Sequence, residues 1–212
     1  MYTIKCNFHN VKFDSPLEAK EYLFSDVSMI TLNNYDGKVN IPELETKASL
    51  FHTEKLLYAG FSAKYESIKP NKDCNKNLKN GKTYFLWQLE DVVELFIGPD
   101  AKLKREYKEF QVSPFSKKID INIKFKSEKP EADFGWNSGF NACSWIEEKE
   151  KTWYSVLQIP FEAFDRIPLD GEKWYCNFYR CSPDMKILLA WSPVYKPDFH
   201  QPEMFGELLF EN

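Results

Sequence analysis

From residue 91 onward the chain is a succession of strand-length runs broken by turn residues, and this rhythm constrains its fold more than anything else. Runs at 91–98, 106–113, 117–125, 141–147, 151–159, 173–180, 187–192 and 206–210 are rich in β-branched and aromatic residues. Gly, Pro, Asn and Asp punctuate them. No helix-length periodic segment lies between them, so parallel β-α-β units are excluded and two packed antiparallel sheets are expected. Upstream, 46–51 and 55–65 flank His52-Thr-Glu and read as a hairpin. The chain of 212 residues suits one sandwich domain. The reading is therefore all-β, an antiparallel β-sandwich of jelly-roll or immunoglobulin-like two-sheet architecture, with residues 45–212 as the sandwich and 1–44 as an extension packing on it. That extension holds a strand at 3–8 and a short helical turn, with Ser15 at the N-cap and Pro16 at N1. Residues 66–83 are polar and read as a long exposed loop. Glu147 to Lys151 reads as a solvated hairpin tip.

Charge and cysteine content exclude several functions. With 28 Lys+Arg against 32 Asp+Glu the net charge is −4, so no basic field gathers nucleic acid. No run approaches the ~18 apolar residues of a membrane span. The N-terminus has no basic segment followed by an apolar one. A cytoplasmic location is expected if the chain is whole, and secretion otherwise. Cys6, Cys74, Cys143, Cys176 and Cys181 lack CxxC spacing, and with His9, His52 and His200 they form no readable zinc site. Reduced thiols are expected.

Aromatic residues make up 17% of the chain, more than a core of this size needs. Some of these rings are therefore expected to do other work than filling a core. Trp87 stands where the polar loop meets a strand and is the first candidate for a stacking wall. In 91–94 the odd spacing sends Asp91 and Glu94 to opposite faces, so they are no catalytic pair. Glu94 shares a face with Val92 and Phe96, where it needs a partner or a wet cleft; an exposed edge-strand carboxylate is the alternative. Arg180 reads as a partner for Glu94 or Asp120, or as a ligand contact. Trp136, between glycines in Phe134-Gly-Trp-Asn-Ser-Gly, is a candidate third ring, and His200 can donate to a hydroxyl. Trp145, Trp153, Trp174 and Trp191 read as core.

Four segments in order carry a resemblance: Lys55-Leu-Leu-Tyr-Ala-Gly-Phe, Trp87-Gln-Leu-Glu-Asp-Val-Val-Glu-Leu-Phe-Ile, Trp153-Tyr-Ser-Val-Leu-Gln-Ile-Pro-Phe and Phe199-His-Gln-Pro-Glu-Met-Phe-Gly-Glu-Leu. Together they resemble carbohydrate-binding module family 9, of the DOMON-type sandwich superfamily, from about residue 45 to the C-terminus. The resemblance implies non-catalytic, lectin-like binding of a mono-, oligo- or polysaccharide end. It implies that Glu94 accepts sugar hydroxyls and that Phe199 stands where the family has a second stacking tryptophan. Gln111 falls at a family arginine and Tyr179 at a family glutamine, so the ligand can differ. No cofactor is required; a structural calcium ion is allowed, without an EF-hand loop to hold it. Competing readings are a sandwich used only for protein interaction, which predicts an exposed aromatic patch without a cleft, an enzyme acting on glycans, and haem held by His200 and Met204.

Overall fold

The computed structural model describes residues 2–211. The strands are β1 (Thr3–Phe8), β2 (Ile30–Asn34), β3 (Thr46–His52), β4 (Leu56–Lys64), β5 (Leu78–Lys79), β6 (Lys82–Thr83), β7 (Val92–Gly98), β8 (Glu106–Val112), β9 (Lys118–Phe125), β10 (Pro130–Asp133), β11 (Asn141–Glu147), β12 (Thr152–Pro160), β13 (Lys173–Ser182), β14 (Ile187–Ala190) and β15 (Gly206–Glu211). One-turn helices α1 (Asp73–Lys76), α2 (Leu86–Leu89) and α3 (Ala101–Lys104) sit in the connections.

Strands β10-β9-β8-β7-β13 form one layer and β3-β4-β12-β11 the other. The layers are joined along one side by β14 and β2 and along the other by β15 and β1. Period-2 alternation explains the core: Val93, Leu95 and Ile97 of β7 and Phe110 and Val112 of β8 meet Leu50, Ala59, Phe61, Trp153 and Leu157 of the second layer. The alternate residues of the first layer, Val92, Phe96, Tyr107, Ile119, Ile121, Ile123 and Tyr179, form a second apolar cluster on its other face. Every residue of β7 is therefore buried, which is why its sequence, Val-Val-Glu-Leu-Phe-Ile-Gly, reads as a continuous run.

Several expectations change. The pairing is antiparallel except at β1, which lies parallel to both β15 and β3. Residues 1–44 do not only pack on the sandwich, because β1 and β2 are hydrogen-bonded strands within it. Residues 66–83 are not a structureless loop. Cys74 of α1 is buried, β5 and β6 pair, and Lys82 makes a buried ion pair with Asp120 at 2.7 Å. Ser15 occupies the N-cap of a turn at Pro16–Ala19, but its hydroxyl does not cap the backbone; it donates to the Glu18 carboxylate at 3.1 Å. Arg180 pairs with neither Glu94 nor Asp120, since alternation turns it to the inter-sheet side, where Asp91 meets it at 2.7 Å. Trp153, Trp174 and Trp191 are buried, whereas Trp145 is half-exposed on the outermost strand and stacks on Tyr154 at 5.2 Å. The five cysteines are free thiols.

Candidate functional site

The outer face of the first layer presents residues in cross-strand rows. Tyr179, Glu94, Gln111 and Ile119 lie opposite one another on β13, β7, β8 and β9. The next row runs Asn177, Phe96, Glu109 and Ile121. Two connections cross this face, the segment carrying α2 and the segment between β14 and β15. Between them and the strands lies a cavity of about 250 Å³.

Trp87, Glu94, Gln111, Phe199 and His200 line this cavity, so the fold gathers these sequence candidates into one place. Trp87 sits on α2 rather than at a simple loop-to-strand boundary, and its ring stacks with Phe134 at 6.4 Å and 18°. Tyr84 backs Phe134 at 5.7 Å and donates its hydroxyl to the Phe134 carbonyl at 3.1 Å. Phe199 is backed by Tyr179 at 4.1 Å and 14°, which holds the smaller ring in one orientation. Tyr179 itself is not on the lining. It is fully buried, and its hydroxyl accepts from Asn177 Nδ2 at 2.9 Å and donates to the Phe199 carbonyl at 3.3 Å. Trp136 is also off the lining. It packs on Phe110 of the inter-sheet core at 6.2 Å, with the Lys108 ammonium 5.0 Å over its ring.

The sequence reading missed Glu109, Asp198 and Phe134, all on the lining. Glu109 was findable, because it stands two residues before Gln111 on one strand and so shares its face. Phe134 carried no such signal, being one of two aromatic residues in an irregular turn.

The polar floor is short of donors. Gln111 Nε2 donates to Glu109 Oε1, while Glu109 Oε2 and Gln111 Oε1 are buried without a hydrogen-bond partner. Glu94 lies diagonally across from Glu109 on the neighbouring strand. Burial pushes the Glu109 carboxyl up to about 8, with the bond from Gln111 opposing, and burial plus the charge of Glu109 pushes Glu94 well above the usual carboxylate range. His200 Nδ1 lies 2.7 Å from the Tyr107 hydroxyl, and burial holds the imidazole pKa down. The tyrosine pKa is raised by burial, so it stays protonated and can donate to Nδ1, leaving the imidazole proton on Nε2.

These shifts carry a consequence for stability. Between 4.5, the ordinary glutamate value, and about 8, the folded protein keeps a proton on Glu109 that the unfolded chain releases. Stability from this group is full below that window and lost as pH rises through it. Glu109→Gln, which keeps an acceptor for Gln111, is expected to melt near the wild-type temperature at pH 4 and above it at pH 8. Parallel melting curves for the two proteins across this range would refute the burial argument.

The resemblance also allowed calcium. Among the described residues no group of three or more His, Cys, Asp or Glu side chains is arranged to hold a metal ion, so these residues offer no carboxylate cage.

Known proteins share parts of this sequence and this fold. Residues 138–210 match the model for carbohydrate-binding family 9. An extracellular protein of Arthroderma benhamiae is 27% identical over 197 residues, covering 84% of each chain. Among solved structures, a carbohydrate-binding candidate from Bacteroides uniformis ATCC 8492 superposes with TM-score 0.75 at 19% identity over 99% of both chains. A family 9 module from Caldicellulosiruptor kristjanssonii in complex with cellotriose gives 0.64 at 13% identity, over 99% of this chain and 94% of that one. The complex of a module from the same organism with glucose gives 0.63 at 12% identity, over 99% and 96%. The protein is thus an antiparallel β-sandwich that shares its fold along nearly its whole length with carbohydrate-binding modules of family 9 and matches the sequence model of that family over residues 138–210.

Proposed function

We propose that the chain binds carbohydrate without transforming it, holding one sugar ring against Trp87 and Phe199 while Glu94, Gln111 and His200 read its hydroxyl rim. The observation that carries this reading is the cavity itself. It joins aromatic rings, each braced by another ring, to buried acceptors that lack partners. Sugar hydroxyls supply the missing donors, and the C–H faces supply the apolar contact. A volume of about 250 Å³ suits a single ring or chain end better than a long oligosaccharide. The neighbouring structures bound to cellotriose and glucose support the ligand class.

The carboxyls support binding without catalysis. A glycoside hydrolase sets two carboxyl groups on either side of the scissile bond and keeps one ionised as nucleophile or base. Here Glu94 and Glu109 share one floor on adjacent strands, and burial favours the neutral form of both.

Trp87 is only half-buried at the cavity, so its removal leaves the sandwich core intact. Trp87→Ala is expected to weaken glucose or cello-oligosaccharide binding by at least ~30-fold, the effect of losing a hot-spot aromatic worth ~2 kcal/mol. Titration calorimetry reads the affinity, and a matching thermal melt verifies the fold. Equal affinity in the two proteins would sink the stacking site.

A further inference from the structure

We infer that the preferred sugar carries a primary ammonium group, an amino sugar whose cation seats between Glu94 and Glu109. This rests on the carbohydrate reading above and narrows it.

Every acidic or basic side chain on the lining is a carboxyl or a histidine: Glu94, Glu109, Asp198 and His200. Among the described residues no lysine or arginine reaches it. The nearby cations are engaged elsewhere. Arg180 binds Asp91, Lys82 binds Asp120, and Lys108 donates to Asn122 at 2.7 Å. Alternation places Arg180, Asp120 and Lys108 on the opposite face of the layer from Glu94 and Glu109.

The floor also has more unpaired acceptors than a single hydroxyl satisfies. Glu94 and Glu109 are each 3% exposed, and Glu109 Oε2 and Gln111 Oε1 have no partner. A hydroxyl brings one donor, enough for one of these acceptors. An ammonium brings three donors and no acceptor, and its charge offsets the cost of burying a carboxylate. The same floor disfavours uronic, sulfated or phosphorylated sugars, whose anionic oxygens would be buried with no cation on the lining to pair them.

Binding then moves a proton. Burial keeps Glu109 protonated near neutrality, with Glu94 facing it from β7, Tyr179 and Cys181 from β13, Asp198 and His200 from the crossing connection, and Tyr107 on its own strand. When the ammonium seats, the carboxyl ionises beside it and its O–H proton leaves to solvent; no other bond forms or breaks.

The experiment is titration calorimetry of the intact protein at pH 6 with glucosamine, glucose, N-acetylglucosamine and methylammonium, each in two buffers of different ionisation heat. Glucosamine is expected to bind at least about tenfold tighter than glucose, with a buffer-dependent enthalpy that glucose lacks. Glu109→Gln is expected to bring the glucosamine-to-glucose affinity ratio close to one. Glucose binding as tightly as glucosamine overturns this inference and leaves the carbohydrate reading standing. Methylammonium matching glucosamine overturns it in favour of a bare amine site. No binding of either monosaccharide overturns both readings.

Discussion

Arg180→Ala is expected to destabilise the sandwich by about 3–5 kcal/mol, the usual result of stranding one member of a buried ion pair. Arg180 is fully buried. Its Nε and Nη2 donate to the two oxygens of Asp91 at 3.1 and 2.7 Å. Its Nη1 donates to Thr46 Oγ1 at 3.0 Å and to the Lys64 carbonyl at 2.8 Å, which ties β13 to β3 and β4 across the sandwich. Removing the guanidinium strands the Asp91 carboxyl and takes a donor from Thr46 Oγ1 and from the Lys64 carbonyl on the opposite layer. Even with the arginine present, burial outweighs the ion pair and keeps the Asp91 pKa above its ordinary value. The pair is thus better understood as fixing layer alignment than as a net source of stability. Asp91→Leu combined with Arg180→Met is accordingly expected to cost less than either single change. Chemical denaturation of the four proteins measures the cycle, and additive losses would contradict the account.

Gly206→Ala is expected to cost about 3 kcal/mol, at the upper end of overpacking effects. A Cβ built on Gly206 would lie 2.3 and 2.5 Å from two ring carbons of Trp191 and 2.9 Å from the Tyr2 carbonyl oxygen. The indole cannot retreat easily, because Phe178 and Tyr2 meet its ring edge-on, each at 5.8 Å. The backbone oxygen cannot move without disturbing the bond it accepts from the Glu207 N–H at 2.8 Å. The damage should also reach the cavity, since Phe205 next in line packs on Tyr107 at 5.1 Å, and Tyr107 holds His200. Thermal melting reads the loss, and a variant as stable as wild type would show that Trp191 has room the geometry does not reveal.

Alternation and turn chemistry are local, so the strands of the first layer, the opposite-facing Asp91 and Glu94, and the buried Trp153 and Trp174 were legible in the sequence. The shared face of Glu109 and Gln111 was equally available from their spacing. Which strand neighbours which is not a local property. Only tertiary pairing set β7 between β8 and β13 and thereby turned Glu94 from a possible edge carboxylate into a buried one. The same pairing gave Arg180 to Asp91, drew β1 and β2 into the sheets, and packed α1 and β6 into a stretch that reads as polar loop. It also sorted the aromatic residues of one irregular turn, sending Phe134 to the cavity and Trp136 toward the inter-sheet core. The sequence by itself determined the period-2 faces and so which side chains of a strand stand together, because those depend on neighbours along the chain. The tertiary structure decided which of those faces water leaves, because burial depends on residues far apart in sequence.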